Sequence, residues 1–247
     1  MNTRLRTMMI QCGVSQDELA ERCGVIPKSV QRWITQGRVP HQRHRFIVCQ
    51  ELGVEESYLW PNTDRWAEDA TRAELIQTYA DRASVPRDVW LSLLTGAKAN
   101  IDVLVFSGTF YAQTNPRIAA MLAERADEGV SVRLCFGDPD GAAIAQRGEE
   151  EGIGDTLGAK VRASLTYYRA LVAHAGCEVR LHDTTLYNSL FRYDDNLLVN
   201  PHIWGRPASA NPLFHIQRCG EGWFDNYVGS FDAVWNTAKP WNPESGV

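Results

Sequence analysis

The stretch SQDELAERCGVIPKSVQRWITQGRVP, which begins at Ser15, constrains the fold of this chain more than any other stretch. Ser15 is followed three residues later by Glu18, a capping box that predicts the start of a helix. Gly24 predicts the end of that helix, because glycine adopts the left-handed conformation at little cost. Pro27 suits the first turn of a second helix. The stretch therefore predicts two short helices joined by a tight turn.

The second of these helices has two chemically different faces. Val30, Trp33 and Ile34 lie at helical spacing and predict a buried face. The opposite face carries side chains that can hydrogen-bond to bases and phosphates, namely Lys28, Ser29, Gln31 and Arg32. Two short helices of which the second presents such a face fit the major groove of DNA.

Residues 3–62 resemble the helix-turn-helix of the Cro and phage-repressor family, on the Leu-Ala-Glu triplet that begins at Leu19, the turn at Gly24 and the Gly-x-x-Pro that begins at Gly37. The resemblance implies an all-α DNA-binding domain over residues 1–62. It implies that side chains of this domain contact bases or phosphates of double-stranded DNA, in chain order Gln16, Lys28, Ser29, Gln31, Arg32, Arg38, Arg43 and His44. Arginine can bond guanine bidentately and glutamine adenine, each contributing roughly 1 to 3 kcal/mol of discrimination.

The charge of the chain is unevenly distributed. Residues 1–45 contain eight Lys and Arg against three Asp and Glu, a local balance of +5, whereas the whole chain carries -5. A basic end on an acidic body indicates that this end meets a polyanion. A helical protein-interaction module with a solvated charged face is the alternative.

The composition shifts after Asn62. The stretch TDRWAEDATRAELIQTYADRASV predicts an acidic amphipathic helix, and we assign residues 63–95 to a helical linker. This linker either only connects the two domains or pairs with its copy in a dimer. Residues 96–247 then alternate between strand and helix patterns. Strands are predicted at IDVLVFSGTF, SVRLCFGDPDG, CEVRLHDT and LYNSLFRYDDNLLVNPH, with helices at NPRIAAMLAERADEG, VRASLTYYRALVAHAG and the aromatic-rich C-terminal segment. We therefore expect an α+β protein of two domains, whose second domain has a mostly parallel mixed sheet with CEVRLHDT paired to LYNSLFRYDD.

The order of these elements, the run EGVSVRLCFGDPDG and the last strand pair together resemble one repeat of the phospholipase D fold. In that family the second strand of the pair carries HxKx4D, whose histidine attacks phosphorus, whose lysine holds the phosphate oxygens and whose aspartate supports the site. The corresponding residues here are Tyr187, Ser189 and Asp194, so only the aspartate is kept. A neutral tyrosine without an activating base is a poor nucleophile, and serine brings no positive charge to the phosphoryl group. We therefore expect no phosphodiesterase activity by the family mechanism.

We predict that the domain retains a ligand cleft at its strand ends, where open α/β sheets bind small molecules. The residues that we assign to this ligand site are Ser107, Thr109, Tyr187, Ser189, Asp194, Asn200 and His202. The domain would sense a small polar or phosphate-bearing ligand, or it would only dimerise. His202 lies near the position of a serine that follows the family motif, so a different activity rebuilt around it stays open.

Taken together, these features predict a homodimeric, sequence-specific transcriptional regulator that reads an inverted repeat and whose phospholipase D-like domain is catalytically silent. A DNA-directed phosphodiesterase or nuclease with a modified active site is the first alternative, and a phage-type immunity repressor is the second. We expect no cofactor, and no metal because the six cysteines are scattered, without a CxxC pair, and belong to the core. We expect a cytoplasmic protein without a membrane partner, because no signal-peptide core and no run of about 18 apolar residues is present.

Overall fold

The computed structural model describes residues 1–61, 74–220 and 222–244. The chain divides into two units, Met1–Asp69 and Ala70–Val247, each of which has its own hydrophobic core. No described helix is long and apolar enough to cross a membrane.

The described part of the N-terminal unit is helical. Its helices are α1 (Thr3–Cys12), α2 (Gln16–Cys23), α3 (Pro27–Thr35), α4 (Gln42–Leu52) and α5 (Glu56–Leu59). The predicted capping box is present, since the Ser15 Oγ accepts a hydrogen bond from the Glu18 amide and the Glu18 carboxylate accepts one from the Ser15 amide. Gly24 ends α2 with a left-handed φ of 66°. These local sequence signals therefore predicted the turn between α2 and α3 correctly.

The helices of the N-terminal unit are held by a small core and by two ion pairs. Leu19, Val30, Trp33 and Ile34 are buried together with residues of α1, α4 and α5. An ion pair between Arg22 and Glu51 joins α2 to α4. A second one, between Arg45 and Glu56 at 2.6 Å, joins α4 to α5.

The C-terminal unit is built on one eight-stranded sheet with the strand order β1-β7-β6-β5-β2-β3-β4-β8. Its strands are β1 (Leu75–Tyr79), β2 (Asn100–Val105), β3 (Ser131–Gly137), β4 (Cys177–His182), β5 (Asn188–Tyr193), β6 (Asn196–Pro201), β7 (Leu213–Gln217) and β8 (Lys239–Pro240). Its helices are α6 (Arg87–Gly96), α7 (Thr109–Thr114), α8 (Ile118–Asp127), α9 (Ala142–Glu150), α10 (Thr156–Tyr168) and α11 (Trp223–Thr237). Short 3-10 turns cover Arg82–Ser84, Arg169–Ala173 and Ala208–Ala210.

The prediction of a mostly parallel sheet was wrong. The sheet is mixed, but only the pairs β2-β3 and β3-β4 are parallel, and the other neighbours run antiparallel. The two segments predicted to pair with each other do not: β4 pairs with β3 and β8, whereas β5 pairs with β2 and folds back on β6. The β5-β6 hairpin turns at Asp194, whose φ of 52° is one that aspartate tolerates better than most side chains.

The prediction of a helical linker is wrong over residues 75–79, although its last described residues lie in the helix Arg87–Gly96. Residues 75–79 form the edge strand β1, which pairs with β7, and α6 follows. The helical pattern of this stretch is overridden by a non-local partner that lies far along the chain, which no local pattern reveals. Residues 63–73 of the predicted linker lie outside the described residues.

Three smaller expectations need correction, and one is confirmed. The strand predicted over residues 101–110 ends at Val105, and the helix predicted to begin at Asn115 begins at Ile118. The cysteines are not all in the core, because Cys12 and Cys219 are exposed. The helix predicted near the C-terminus is present as α11, which buries three aromatic side chains, Phe224, Phe231 and Trp235.

A buried carboxylate links the three central strands. Asp102 on β2 is 2% exposed and accepts hydrogen bonds from Arg133 on β3 at 2.7 and 3.0 Å and from Arg192 on β5 at 3.1 Å. Both arginines are the register partners of Asp102 in the neighbouring strands. The Arg133 guanidinium also lies over the Phe231 ring at 4.6 Å, which ties α11 to this face of the sheet.

We expect Asp102→Ala to lower the free energy of unfolding by about 3 to 5 kcal/mol, because it leaves two guanidinium groups without their buried counter-ion. Urea denaturation measures this loss. Asp232→Ala is the matched control, since Asp232 binds the same Arg133 at 2.9 Å but its side chain is 45% exposed. We expect the control to cost less than about 1 kcal/mol. Equal losses in the two variants would contradict the role given to Asp102.

Candidate functional site

A cavity of about 460 Å³ in the C-terminal unit is lined by residues from the end of β2, the start of β5 and the segment after β6. It contains four of the predicted ligand-site residues, namely Ser107, Thr109, Ser189 and His202. Ser107 and Thr109 follow β2 directly, and Ser189 is one of the first residues of β5. The antiparallel pairing of β5 with β2 and β6 brings these ends together.

Gly108 makes the sharp passage from β2 into α7 possible. Its φ is 64°, and a Cβ at this position would lie 2.4 Å from the Phe136 ring. Both the left-handed backbone and the lack of a side chain are therefore required here. The passage places Ser107 and Thr109 on the cavity wall, one on either side of the glycine.

Ser189 and His202 are hydrogen-bonded to each other inside the cavity. The Ser189 Oγ lies 3.0 Å from the His202 Nε2, and the His202 Nδ1 lies 3.1 Å from the Leu186 carbonyl oxygen. Because a carbonyl only accepts, Nδ1 must carry the proton of the neutral ring, so Nε2 accepts the proton of the serine hydroxyl. The His202 ring is further fixed by stacking on Phe106, with ring centroids 5.5 Å apart.

The surroundings of His202 hold its ring in the neutral form. Burial lowers the pKa of His202 to about 4, and the nearby positive charges of Arg147 and Arg82 act in the same direction. A base of this strength is poorly matched to proton abstraction at neutral pH. The Ser189 and His202 pair therefore has the geometry of a nucleophile and its base, but it lacks the basicity.

Arg82 lines the same cavity and was not among the predicted site residues. It is 9% exposed, donates to the Asn200 Oδ1 at 3.3 Å and lies over the Phe110 ring at 4.5 Å. Burial lowers the pKa of Arg82 to about 10, which leaves the guanidinium charged at neutral pH. Its Nε has no hydrogen-bond partner among the described residues, and neither has the buried Oγ1 of Thr109.

The other predicted ligand-site residues lie elsewhere. Tyr187 is 80% exposed and is not part of the cavity wall. Asn200 is fully buried behind Arg82, where its Nδ2 donates to the carbonyl oxygens of Asn211 and Pro212. The assignment of Tyr187 and Asn200 to the lining of one cleft is therefore corrected by their positions.

Asp194 requires the same correction. It lies past the other end of β5, where its carboxylate accepts hydrogen bonds of 2.8 Å from the amides of Lys98, Ala99 and Asn100. Burial opposes the charged form, but these amide bonds together lower the pKa of Asp194. The aspartate thus holds the loop before β2 to the β5-β6 hairpin and does not reach the cavity.

Sequence reasoning missed Arg82 because it lies in the stretch interpreted as a linker helix. The signal that could have found it is the short run LIQTY, whose β-branched and aromatic residues are typical of a strand. Polar residues of the cavity wall that the sequence also gave no reason to select are Gln113, Glu151, Lys160 and Ser209. Within the described ranges, no group of three or more His, Cys, Asp or Glu side chains is arranged to hold a metal ion.

The predicted DNA-contacting residues of the N-terminal unit are mostly exposed. Lys28, Gln31 and Arg32 are exposed on α3, and Ser29 is half-buried. Gln16 is exposed at the first position of α2. The remaining residues predicted to follow the DNA backbone are Arg38 and Arg43, both exposed, and His44, which is half-buried and accepts from the Arg43 Nε at 3.1 Å.

No protein-family model matches the chain, and no curated protein sequence does either. Several solved structures are similar to it, among them the following three. Nuc from Salmonella typhimurium, a phospholipase D family member, is 14% identical over 67% of this chain and 97% of its own, with a TM-score of 0.45. TrmBL2, an archaeal chromatin protein with a novel mode of DNA binding, is 14% identical over 92% of this chain and 81% of its own, with a TM-score of 0.43. NucT from Helicobacter pylori is 12% identical over 63% of this chain and 92% of its own, with a TM-score of 0.39.

We expect the lowered pKa of His202 to make the protein less stable as the pH falls from 7 to 5. The unfolded chain takes up a proton near pH 6.5, whereas folded His202 does so only near pH 4. Protons are thus bound preferentially by the unfolded state in this window, and His202 accounts for a loss of about 2 kcal/mol in the free energy of unfolding between pH 7 and pH 5.

Urea denaturation of the parent and of His202→Gln at both pH values measures this loss. The variant should retain a smaller drop, because burial also lowers the pKa values of His182 and His215. His174→Gln is the control, since His174 lies outside the cavity wall. The assignment is refuted if the two variants show the same pH dependence.

Proposed function

We propose that this protein is a sequence-specific DNA-binding transcriptional regulator whose C-terminal unit is catalytically silent and responds to a small ligand. The observation that carries the proposal is the exposed face of α3. Lys28, Gln31 and Arg32 are exposed there, and none of their side chains is hydrogen-bonded or ion-paired within the described residues. Long donors that are left unengaged on one face of a short helix suit base edges and phosphates in a major groove.

Three acids of the N-terminal unit are engaged by partners outside α3. Glu51 and Glu56 form ion pairs with Arg22 on α2 and Arg45 on α4, and neither pairs with a side chain of α3 in the described chain. Glu18 is occupied by the capping box at Ser15. Lys28 and Arg32 on α3 thus have no ion pair in the described chain, and their positive charges can interact with a polyanion.

The geometry of α2 and α3 supports a helix-turn-helix contact with DNA. The left-handed turn at Gly24 and the buried pair Leu19 and Val30 fix the second helix against the first. In this arrangement the N-terminal residues of the second helix meet base edges, and a symmetric dimer reads two half-sites. We therefore include an inverted-repeat operator and a homodimer in the proposal.

The side chains at Tyr187 and Ser189 support the proposal that the C-terminal unit is catalytically silent. Tyr187 is exposed and lies outside the cavity, and Ser189 is bonded to a histidine that is neutral and weakly basic. What the cavity retains is a wall of hydroxyl groups and cations that can bind without reacting. A ligand held there regulates DNA binding only if it prefers one of two states of the protein, because equal affinity for both shifts nothing.

A DNA-directed phosphodiesterase or nuclease is the second candidate, and the hydrogen bond between Ser189 and His202 favours it. A serine hydroxyl that donates to an imidazole nitrogen is the arrangement by which serine nucleophiles are activated. Against it stand the low basicity of His202 and the 2% exposure of Ser189. Cleavage of DNA by the purified protein would decide for this candidate.

We expect a random-sequence DNA pool, selected on the full-length protein, to yield an inverted repeat and to stay free of nicks. Gln31→Ala and Arg32→Ala should each weaken binding to the selected site by roughly 1 to 3 kcal/mol and relax the preference at one base position in each half-site. Fluorescence anisotropy at fixed salt measures both effects.

Arg117→Ala is the matched control for this experiment, because Arg117 is an exposed arginine of the C-terminal unit that pairs with Glu124. It should leave affinity and base preference unchanged. A pool without an enriched sequence would refute sequence-specific binding through α3. Nicks in the pool would support the nuclease candidate instead of the regulator.

A further inference from the structure

We propose that the cavity of the C-terminal unit binds a small oxyanion, carried by a phosphate or carboxylate group, with the Arg82 guanidinium as its counter-ion. This inference rests on the proposed function in one respect, that the C-terminal unit binds a ligand. It names the chemical class of that ligand and the residue that selects it.

Arg82 is a buried cation that lacks a carboxylate of its own. Its one side-chain hydrogen bond in the described chain goes to the neutral Asn200 amide, and its Nε is unsatisfied. Glu151 lines the same cavity and its negative charge raises the pKa of Arg82, but its carboxylate is bound by Arg147 at 2.8 Å and forms no ion pair with Arg82 in the described chain. A buried charge is ordinarily paired, because desolvation without a partner costs several kcal/mol. The missing partner of Arg82 is therefore expected to come from outside the chain.

The cavity wall supplies hydrogen-bond donors suited to an oxyanion. Ser107, Thr109 and Ser209 are hydroxyl-bearing residues of the wall, and the Thr109 Oγ1 is a second buried atom without a partner among the described residues. An oxyanion has several lone pairs and can accept from a guanidinium and from hydroxyls at the same time. The two unsatisfied atoms belong to Arg82, on the turn after β1, and to Thr109 on α7, and both of these residues line the cavity.

The charge around the cavity disfavours a cationic ligand. Arg82 and Lys160 are cations of the wall, whereas Glu151 is its only acid among the residues that the structure describes there. The imidazole of His202 adds no negative charge, and two arginines near it disfavour its protonation. A cationic ligand would meet like charge at the buried end of the cavity, which a low local dielectric makes costly.

The size and depth of the cavity favour a small molecule as the source of the oxyanion. Its volume is about 460 Å³, within the range of sites for small ligands. Arg82 is only 9% exposed, so a phosphate within an intact DNA duplex could not approach its guanidinium. The sources to be distinguished are thus a phosphate and a carboxylate on a small ligand.

Isothermal titration calorimetry with inorganic phosphate and, separately, with acetate tests the inference on the full-length protein without DNA, at constant ionic strength set by chloride. We expect at least one probe to bind and to raise the Tm of the parent protein. Arg82→Met should raise the Kd about 10-fold or more, as for the loss of a charged hydrogen-bond partner. Thr109→Val should raise it about 3- to 10-fold.

The Tm without added anion separates a binding role of Arg82 from a structural one. Arg82→Met removes a buried charge that has no ion pair in the described chain, so its Tm in chloride should equal or exceed that of the parent, whereas loss of a structural contact would lower it. Arg162→Met is the matched control, because Arg162 is an exposed arginine of α10 that pairs with Asp140 outside this cavity. It should bind the probe as the parent does.

Binding of phosphate alone or of acetate alone would identify the group that the cavity accepts. The inference is overturned if neither probe binds at millimolar concentration, or if Arg82→Met binds as tightly as the parent. If Arg82→Met does not fold, the Kd of Thr109→Val for the probe tests the inference. A Kd equal to that of the parent overturns it. Because DNA is absent, these outcomes are independent of whether α3 reads bases.

Discussion

The carboxylate of Asp102, bound by one arginine from each neighbouring strand, is the interaction on which the C-terminal unit depends. Because Arg133 and Arg192 are its direct register partners, a slip of either strand by one residue would separate the charges and leave the carboxylate buried alone. The same guanidinium groups receive the aromatic rings of α11, so strand register and helix docking are fixed by one cluster. The sheet therefore has a strongly specified centre.

That register also determines the cavity. Side chains alternate along β5, so Arg192 faces Asp102 and α11, whereas Ser189 and Phe191 belong to the opposite, cavity face. The pairing of Ser189 with Asn200 continues to the opposed positions Tyr187 and His202, which are joined by an amide-to-carbonyl bond of 2.8 Å. The Ser189 and His202 hydrogen bond is thus a consequence of strand pairing. The apparent dyad needs no catalytic explanation, since the sheet alone brings its members together.

The sequence predicted the N-terminal unit better than the C-terminal one, for a physical reason. The capping box at Ser15 and the turn at Gly24 are decided by residues within four positions of each other, so a local pattern suffices. The strand order of the sheet depends on partners far apart in the chain, such as β1 and β7, and hydrophobic periodicity does not specify them. Of the predicted ligand site, Ser107 and Thr109 could be placed because they directly follow a recognisable strand. Arg82 could not, because its position depends on the unforeseen edge strand β1.

The proposed anion would give the C-terminal unit a stability that depends on its ligand, because Arg82 is a buried cation without an ion pair in the described chain. An anion that neutralises Arg82 stabilises the folded unit in proportion to the logarithm of its concentration, whether or not DNA is bound. Such stabilisation is not yet regulation. The anion alters DNA affinity only if the position of Arg82 differs between a DNA-competent and a DNA-incompetent state. Arg82 lies directly after the edge strand β1, which is held to the sheet through β7 alone.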